Sequence, residues 1–299
     1  MLYRRSLIPS LMLLTVAFVW GATFVLIKTA LEEIGPFTFL AMRFSLAFAV
    51  LAMSFLARLR RGGRSLWQAG GVLGAVLFAA YGFQTVGLRT TTATRAGFLT
   101  GLFVILVPLL SALMLRRLPT LGTWLAALLA VLGLALLSLP MDRSWAPGDG
   151  LMLLCALMVA IHILLVDHQG RRHDPLALGT AQIGAVALLS GLVALLAEPF
   201  PTHLPATVWW AILFTALPAT ALALPLQVVA QRRTLPQQAA LLLTMEPVFA
   251  ALTAFLFLGE RLTGRGLAGC GLILTAMLVA EGLPVRNRRF LPPSRLADE

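Results

Sequence analysis

Glu246 is a carboxylate in the middle of an apolar run that extends over residues 237–258, and Pro247 follows it directly. A charged side chain at the centre of a bilayer costs about 2.5–3.5 kcal/mol on insertion scales, so Glu246 is expected to face protein or water rather than lipid. Two interpretations stay open. In the first, Glu246 lines a cavity and binds a substrate ammonium group or carries a proton. In the second, it forms a buried ion pair with Arg43 or Lys28 that joins the two halves of the chain.

Other polar and aromatic side chains also lie within apolar runs. Tyr81 and Thr85 are one helical turn apart with Gln84 beside them, and Gln227 has a comparable place in a later run. Binding sites in proteins are mostly apolar with a few placed polar groups. The residues predicted to line a cavity are Trp20, Thr23, Phe24, Tyr81, Gln84, Thr85, His162, Gln227 and Glu246. The alternative is that these side chains only pack or form hydrogen bonds between helices.

His162 is open to two interpretations as well. Alone it is a packed residue that forms a hydrogen bond, whereas close to Glu246 it would form a titrating pair, because histidine changes charge near neutral pH. The segment 167–174 contains further histidines and aspartates, but its spacing matches no metal-ligand pattern, and Arg171 and Arg172 would repel a cation. We therefore expect a cytoplasmic loop there, and neither a metal nor a cofactor in the protein.

Prolines inside the apolar runs are the predicted hinges. A proline removes a backbone hydrogen bond and bends a helix, and the freed carbonyl is tolerated where it is shielded from lipid. The predicted hinges are Pro108, Pro218, Pro225 and Pro247. The alternative is that they are passive kinks, which many membrane helices contain.

Long apolar helices would have to position these residues. The chain has 299 residues, of which 59% are hydrophobic and 12% are charged, whereas a soluble domain has about 25% charged residues. Most of the apolar runs reach the roughly 20 residues that cross a bilayer as a helix. The runs extend over residues 8–27, 37–56, 67–88, 96–115, 121–139, 150–166, 176–197, 207–230, 237–258 and 266–280. The sequence therefore predicts an all-α polytopic membrane protein with ten transmembrane helices.

The net charge of +11 is distributed as in a membrane protein. With the N-terminus placed inside the cell, most of the 23 lysines and arginines fall on the cytoplasmic side, including those of a basic tail at 284–299. This is the positive-inside distribution. We therefore expect both termini in the cytoplasm, the lipid bilayer as a partner, and no binding of nucleic acid.

Two segments of the chain, one in each half, are similar in sequence. QTVGLRTTTATRAGFL at 84–99 and QVVAQRRTLPQQAALL at 227–242 align without a gap and share polar as well as apolar residues. Each segment ends one apolar run, crosses a short connector and begins the next run. A weaker match links WGATFVLIK with VAIHILLVD, and in it Thr23 corresponds to His162.

We therefore predict two five-helix repeats, over residues 1–140 and 141–283. An odd number of helices inverts the second copy, so the connectors after Arg89 and Arg232 are expected on opposite sides of the membrane. Inverted repeats are common in secondary transporters, whose binding site lies near the midplane between the repeats. The alternative is chance similarity between helices that are rich in leucine and alanine.

Three of these segments resemble a known family. WGATFVLIK at 20–28, the Arg43 of AMRF, and LLTMEPVFAALTAFLFLGERLT in the ninth run are similar to the drug/metabolite transporter superfamily, in its EamA branch. The family's GER pattern is present at 259–261, but the corresponding place in the first half has Arg116 and Arg117 without a glutamate. The resemblance implies ten helices, export of amino acids or other metabolites, and peripheral packing of the fifth and tenth helices.

We therefore expect a secondary transporter in a bacterial inner membrane that exports small organic molecules by alternating access. Few charges line the predicted cavity, which favours neutral or zwitterionic cargo, above all amino acids with apolar or aromatic side chains. Alternatives are export of other metabolites or drugs and a carrier of the nucleotide-sugar type, although a diphosphate would need a more basic pocket.

An intramembrane enzyme is disfavoured because the sequence has no HExxH or GxSxG motif. A scaffold would not need mirrored halves. Glu246 and His162 leave proton coupling open.

Overall fold

All regular elements in the part of the chain that the structure describes are helical. The structure is a computed structural model, and it describes residues 7–115, 119–138, 145–199, 201, 203–258 and 263–282. The helices are α1 (Leu7–Gly21), α2 (Phe24–Ala30), α3 (Pro36–Leu88), α4 (Ala93–Gly101), α5 (Phe103–Leu115), α6 (Leu121–Ser138), α7 (Pro147–Gly170), α8 (Pro175–Ala197), α9 (Ala206–Ala216), α10 (Ala223–Gln231), α11 (Pro236–Leu243), α12 (Glu246–Leu258) and α13 (Gly264–Gly282), and a π-helical segment (Leu217–Leu222) joins α9 to α10.

Some sequence predictions fall outside the described residues. These are the GER pattern at 259–261, the arginines at 116 and 117, the repeat boundary at 140–141 and the basic tail at 284–299.

The chain forms a polytopic membrane protein. Seven helical stretches in the described residues are long and apolar enough to cross a bilayer, and one of them, Pro36–Leu88, has 53 residues. Large apolar side chains cover the outside of the bundle, for example Leu195 and Leu196, which are 78% and 80% exposed. Side chains of this kind are suited to contact with lipid, where apolar exposure has no cost.

α3 is a hairpin of two helical arms. Gly63 has φ 59° and ψ −164°, a backbone conformation that favours glycine, and it interrupts the helix. Both arms lie against α8. In the first arm, Phe48 lies at Gly184, and the backbone of Thr38 reaches Glu198 at the end of α8.

The second arm of α3 runs in the opposite sense along α8. Gly70 lies at Ala181 and Gly74 lies at Ala185, so residue numbers in the two helices increase together. The reversal at Gly63 therefore turns the 53-residue helix back on itself and gives two antiparallel arms.

α6 and α13 form an antiparallel pair through glycine. A Cβ atom added at Gly133 would lie 2.7 Å from the Gly269 carbonyl oxygen, and one added at Gly269 would lie 2.6 Å from the Gly133 carbonyl oxygen. Gly133 also faces Ile273, and Gly269 faces Leu137. Since the pairing runs in opposite directions along the two helices, they are antiparallel, and their backbones touch without side chains between them.

The two ends of α7 contact the two connectors whose sequences match, the one after α3 and the one after α10. Gly148, in the first turn of α7, lies against the backbone of Gly87 and the hydroxyl of Thr90. Gly170 is the last residue of α7. A Cβ atom added there would lie 3.5 Å from a side-chain carbon of Val228 and 3.5 Å from one of Arg232. The connector after α3 is therefore at the N-terminal end of α7, and the connector after α10 is at its C-terminal end.

In the described residues, three breaks of one or two residues separate consecutive helices. α1 and α2 are separated at residues 22–23, α4 and α5 at Leu102, and α11 and α12 at residues 244–245. The last interruption has a clear cause. Proline has no backbone N–H and fits the first turn of a helix, so the chain restarts a helix at Glu246 with Pro247 as its second residue.

Candidate functional site

A cavity of about 70 Å³, measured as the space open to the centres of water molecules, lies among the interrupted helices. Every residue predicted to line a cavity does so, except Thr85. The lining consists of Trp20, Thr23, Phe24, Ile27, Arg43, Leu77, Ala80, Tyr81, Gln84, Thr100, Phe103, Cys155, Val159, His162, Gln227, Leu243 and Glu246. Side chains from both halves of the chain therefore meet around one space.

Thr85 is buried outside this lining. It lies one helical turn beyond Tyr81 on α3, and its exposed fraction is 2%. Two residues later Gly87 packs directly against the start of α7 at Gly148. The stripe that includes Tyr81 therefore passes from the cavity into a helix contact before it reaches Thr85, and the prediction for this residue is corrected.

Glu246 stands at the first position of α12, where a helix N-terminus favours a negative charge. The backbone around it is held by α1. A Cβ atom added at Gly21 would lie 2.9 Å from the Ala250 nitrogen, and it would also meet the Glu246 carbonyl oxygen. Glycine at this position lets α1 contact the backbone of α12 directly, which fixes the depth of Glu246 beside Trp20 in the cavity wall.

Arg43 is the buried cation of the cavity, with 1% of its surface exposed. Its Nε donates a hydrogen bond to Thr220 Oγ1 at 2.7 Å, and the Thr220 hydroxyl in turn donates to the Thr215 carbonyl at 2.8 Å. The guanidinium carbon lies 4.9 Å from the centroid of the Tyr81 ring and 5.3 Å from that of Phe44. These contacts, with Tyr81 as a further hydrogen-bond partner, hold the guanidinium at its Nε edge and beside two aromatic rings.

The predicted ion pair of Glu246 with Arg43 or Lys28 is not formed in this structure. In the described residues, neither cation lies within 4.0 Å of the Glu246 carboxylate. Arg43 is held by Thr220, and Lys28 Nζ donates to the Thr91 carbonyl at 3.0 Å, away from the cavity lining. The physical reason is that packing against the π-helical segment and against the connector after α3 directs each cation to another acceptor.

His162 and Trp20 link neighbouring helices at the cavity. His162 Nε2 and Gln182 Oε1 are 2.8 Å apart, in a hydrogen bond between α7 and α8. Trp20 Nε1 donates to the carbonyl of Ala219 in the π-helical segment at 2.8 Å. Both side chains therefore have structural partners and still line the cavity.

The predicted hinge prolines have different surroundings. Pro218 lies in the π-helical segment, Pro225 lies near the start of α10, and Pro247 follows the interruption before α12. Pro108 lies inside α5, and the nearby interruption is at Leu102 instead. No proline stands next to that interruption in the sequence.

The N-terminal end of α7 carries a polar network around Asp149, which is 1% exposed. Asp149 Oδ1 accepts from Thr91 Oγ1 at 2.8 Å, and Oδ2 accepts from the Ala146 backbone at 2.9 Å and pairs with Arg95 Nε at 3.0 Å. Lys28 binds the carbonyl of the same Thr91. This network joins α2, α4 and α7 at the N-terminal end of α7.

Several lining residues were missed by sequence reasoning, but the internal match contains a signal for them. In the alignment of the two halves that matches Gln84 with Gln227, two further pairs of cavity-lining residues are matched. The alignment that matches Thr23 with His162 adds one more pair. These further matched pairs are Thr100 with Leu243, Phe103 with Glu246, and Trp20 with Val159. The cavity wall is therefore built in large part from corresponding positions of the two halves.

Comparison with known proteins supports this picture. The EamA-like transporter family matches the chain twice, over residues 7–139 and 146–281. An uncharacterized transporter from Archaeoglobus fulgidus is 35% identical over 277 residues, which are 93% of this chain and 87% of the relative. The threonine/homoserine exporters RhtA of Salmonella typhimurium and Escherichia coli are 34% identical, and the match spans 57% of this chain and 58% of their length.

A solved crystal structure shares the fold. It aligns with a TM-score of 0.78 at 22% sequence identity, and the alignment covers 94% of this chain and 99% of the other. The fold, the two family matches and the archaeal relative agree. The chain belongs to the EamA-like transporter family.

Proposed function

We propose that this protein is a secondary transporter that exports amino acids, above all those with apolar or aromatic side chains, across a bacterial inner membrane. The central observation is the cavity, whose wall is built in large part from corresponding residues of the two halves of the chain. The similarity to proteins named threonine/homoserine exporters supports amino acids as the substrate class. We expect no catalysis, because the relatives of this chain are named as transporters.

The proposed architecture is ten transmembrane helices in two inverted five-helix repeats. The family model matches each half separately. The two connectors with matching sequences lie at opposite ends of α7, as inverted copies require. The antiparallel packing of α6 and α13 is also the arrangement that inversion gives to the last helix of each repeat. The distribution of basic residues supports cytoplasmic termini.

The proposed mechanism is alternating access, in which one repeat rocks against the other around the cavity. The interruptions at Leu102 and at 244–245 occupy matching positions in the two repeats, and both border the lining, at Phe103 and Glu246. Broken helices around a central site are typical of secondary transporters. Of the proposed hinge prolines, Pro247 directly follows the second of these interruptions, and Pro218 lies in the π-helical segment between α9 and α10.

Transport in liposomes tests the proposal. Purified protein is reconstituted and a panel of labelled amino acids is offered, with phenylalanine, leucine, threonine and homoserine among them, with and without a pH gradient. We expect saturable flux of at least one amino acid that protein-free liposomes do not show. If all amino acids fail while a drug or a nucleotide sugar included in the panel is carried, the alternative substrate class replaces this one.

Proton coupling is tested in the same system with Glu246→Gln. If Glu246 carries the proton, the variant loses the effect of the pH gradient and keeps wild-type abundance and thermal stability. His162→Gln, which can retain a hydrogen bond to Gln182, tests the second candidate. Facilitated transport predicts no effect of the gradient in any of the three proteins.

A further inference from the structure

The cavity contains a guanidinium and a carboxyl group that are not paired with each other. Arg43 and Glu246 both line it, and in the residues that the structure describes neither has an ion-pair partner within 4.0 Å. A buried ionised group without a partner of opposite charge is costly, so Arg43 and an ionised Glu246 would each gain from a ligand that supplies such a partner. A ligand that satisfies both groups at once must itself carry one positive and one negative charge.

We infer that Arg43 anchors the carboxylate of a zwitterionic α-amino acid and that Glu246 binds its ammonium group. This inference rests on the proposed function and assigns the recognition within it. A guanidinium binds a carboxylate through parallel N–H bonds in a fixed plane. Thr220 takes the Nε donor of Arg43 and orients the plane of the guanidinium, and Tyr81 is a second hydrogen-bond partner of the same group. A guanidinium has five N–H donors, so donors remain for a ligand.

An unsatisfied acceptor in the same wall supports the ammonium subsite. Gln227 lines the cavity and is 2% exposed, and its Oε1 atom has no hydrogen-bond partner among the described residues. Buried polar atoms are normally hydrogen-bonded, and an exception needs an explanation. An ammonium group has several donors, so it can bind the Glu246 carboxylate and the Gln227 oxygen together.

The rest of the wall suits an apolar side chain. Between the polar groups the lining is formed by Phe24, Ile27, Leu77, Phe103, Val159 and Leu243. An amino acid held by its backbone charges would place its side chain against these residues. Selection for the zwitterion would then come from the charges, and the side-chain preference from the apolar wall.

Competition by charge-deleted analogues tests the inference. The tracer is labelled L-phenylalanine in liposomes, and the competitors are unlabelled L-phenylalanine, L-phenylalaninamide, which lacks the carboxylate, and 3-phenylpropionate, which lacks the ammonium group. For the wild type we expect each analogue to compete at least about tenfold more weakly than phenylalanine, as loss of a charged hydrogen-bond partner implies.

The variants separate the two anchors. Arg43→Gln should weaken competition by phenylalanine and 3-phenylpropionate at least about tenfold and leave phenylalaninamide unchanged. Glu246→Gln should weaken phenylalanine and phenylalaninamide and leave 3-phenylpropionate unchanged. Arg43→Lys keeps the cation without the planar fork and should give an intermediate loss with the same pattern. Arg172→Gln and Glu32→Gln, at exposed positions, are matched charge controls.

Different failures have different meanings. If wild-type protein carries phenylalanine but phenylalaninamide competes equally well, or if Arg43→Gln weakens all three competitors in parallel, the inference is wrong and the proposed function stands. If no amino acid is carried by the wild type, the proposed function fails and the inference fails with it. Thermal unfolding in detergent shows for each variant whether the fold is retained.

Discussion

At the scale of single residues, the hydrogen bond between Arg43 and Thr220 is the contact that orients the cation. Thr220→Val removes the accepting hydroxyl and keeps the shape of the side chain. Since such a bond contributes about 1 kcal/mol, we expect the KM for a transported amino acid to rise about fivefold with little change in abundance. The measurement is concentration-dependent flux in liposomes.

Thr215→Val is the matched control for this variant. Thr215 is also fully buried in the same stretch of chain, but its hydroxyl donates only to the carbonyls of Ala211 and Ile212 in its own helix. The control should keep a wild-type KM. An equal rise of KM in both variants would show that Thr220 acts through helix stability and not through Arg43.

Sequence patterns indicated which residues would line a cavity better than they indicated the contacts of those residues. Trp20, Tyr81, Gln227 and Glu246 were recognisable because a polar or aromatic side chain in an apolar helix needs a shielded place. The partner of Arg43 was not recognisable. Whether it meets Glu246 or Thr220 depends on how far α3 slides along its neighbours, and the sequence of one helix does not determine that packing.

At the scale of helices, the contact between α6 and α13 depends on glycine at one face. Gly269 has backbone atoms of α6 within 2.6 Å of where a Cβ would be, whereas Gly271 has no atom within 4 Å. Gly269→Ala should therefore lower the free energy of unfolding by about 1–3 kcal/mol through overpacking. Gly271→Ala should be neutral or stabilise the helix by about 0.5–1 kcal/mol.

Thermal unfolding in detergent compares the two alanine variants directly. They differ by two positions in one helix, so helix propensity and protein handling are the same for both. Equal melting temperatures would show that the backbones of α6 and α13 do not touch as described.

The Asp149 network is expected to keep one end of the cavity closed. Asp149→Asn removes the charge that pairs with Arg95 and retains a similar shape, so the network weakens. The end of the cavity beside it, which the proposed topology places on the outer side of the membrane, should then open more often. Cys155 lines the cavity and is 1% exposed, and it therefore reports on this opening. In a Cys270→Ser background, an impermeant thiol reagent added outside should label Cys155 faster in the variant.

The salt bridge between Arg58 and Asp174 provides the control for this experiment. It lies at the C-terminal end of α7, just before α8, and both side chains are partly exposed. Asp174→Asn should not accelerate labelling from outside. If both variants accelerate it equally, general loosening of the bundle explains the effect, and the Asp149 network has no special role at one end.

Only some of the helix interruptions can be predicted from the residues next to them in the sequence. Pro247 marks the restart of a helix at Glu246, and this position was predictable from proline chemistry. The interruptions at 22–23 and at Leu102 have no adjacent proline, and they are visible only when neighbouring helices are packed. The interruption at Leu102 could have been predicted from the one at 244–245. The alignment that matches Gln84 with Gln227 also matches residue 102 with residue 245.

At the scale of the whole molecule, the opposite placement of the two matching connectors is the feature on which the transport mechanism depends. Cysteine is introduced at Thr90 and, in a second protein, at Leu235, in a background with Cys155→Ser and Cys270→Ser. Both positions are exposed in connectors, and neither change alters the arginines and lysines that orient the chain. In intact cells, an impermeant maleimide should label the cysteine at 90 and reach the one at 235 only after the membrane is opened, because the two connectors lie at opposite ends of α7. If both cysteines are labelled from the same side, the two halves point in the same direction, and rocking of inverted repeats around the cavity is excluded.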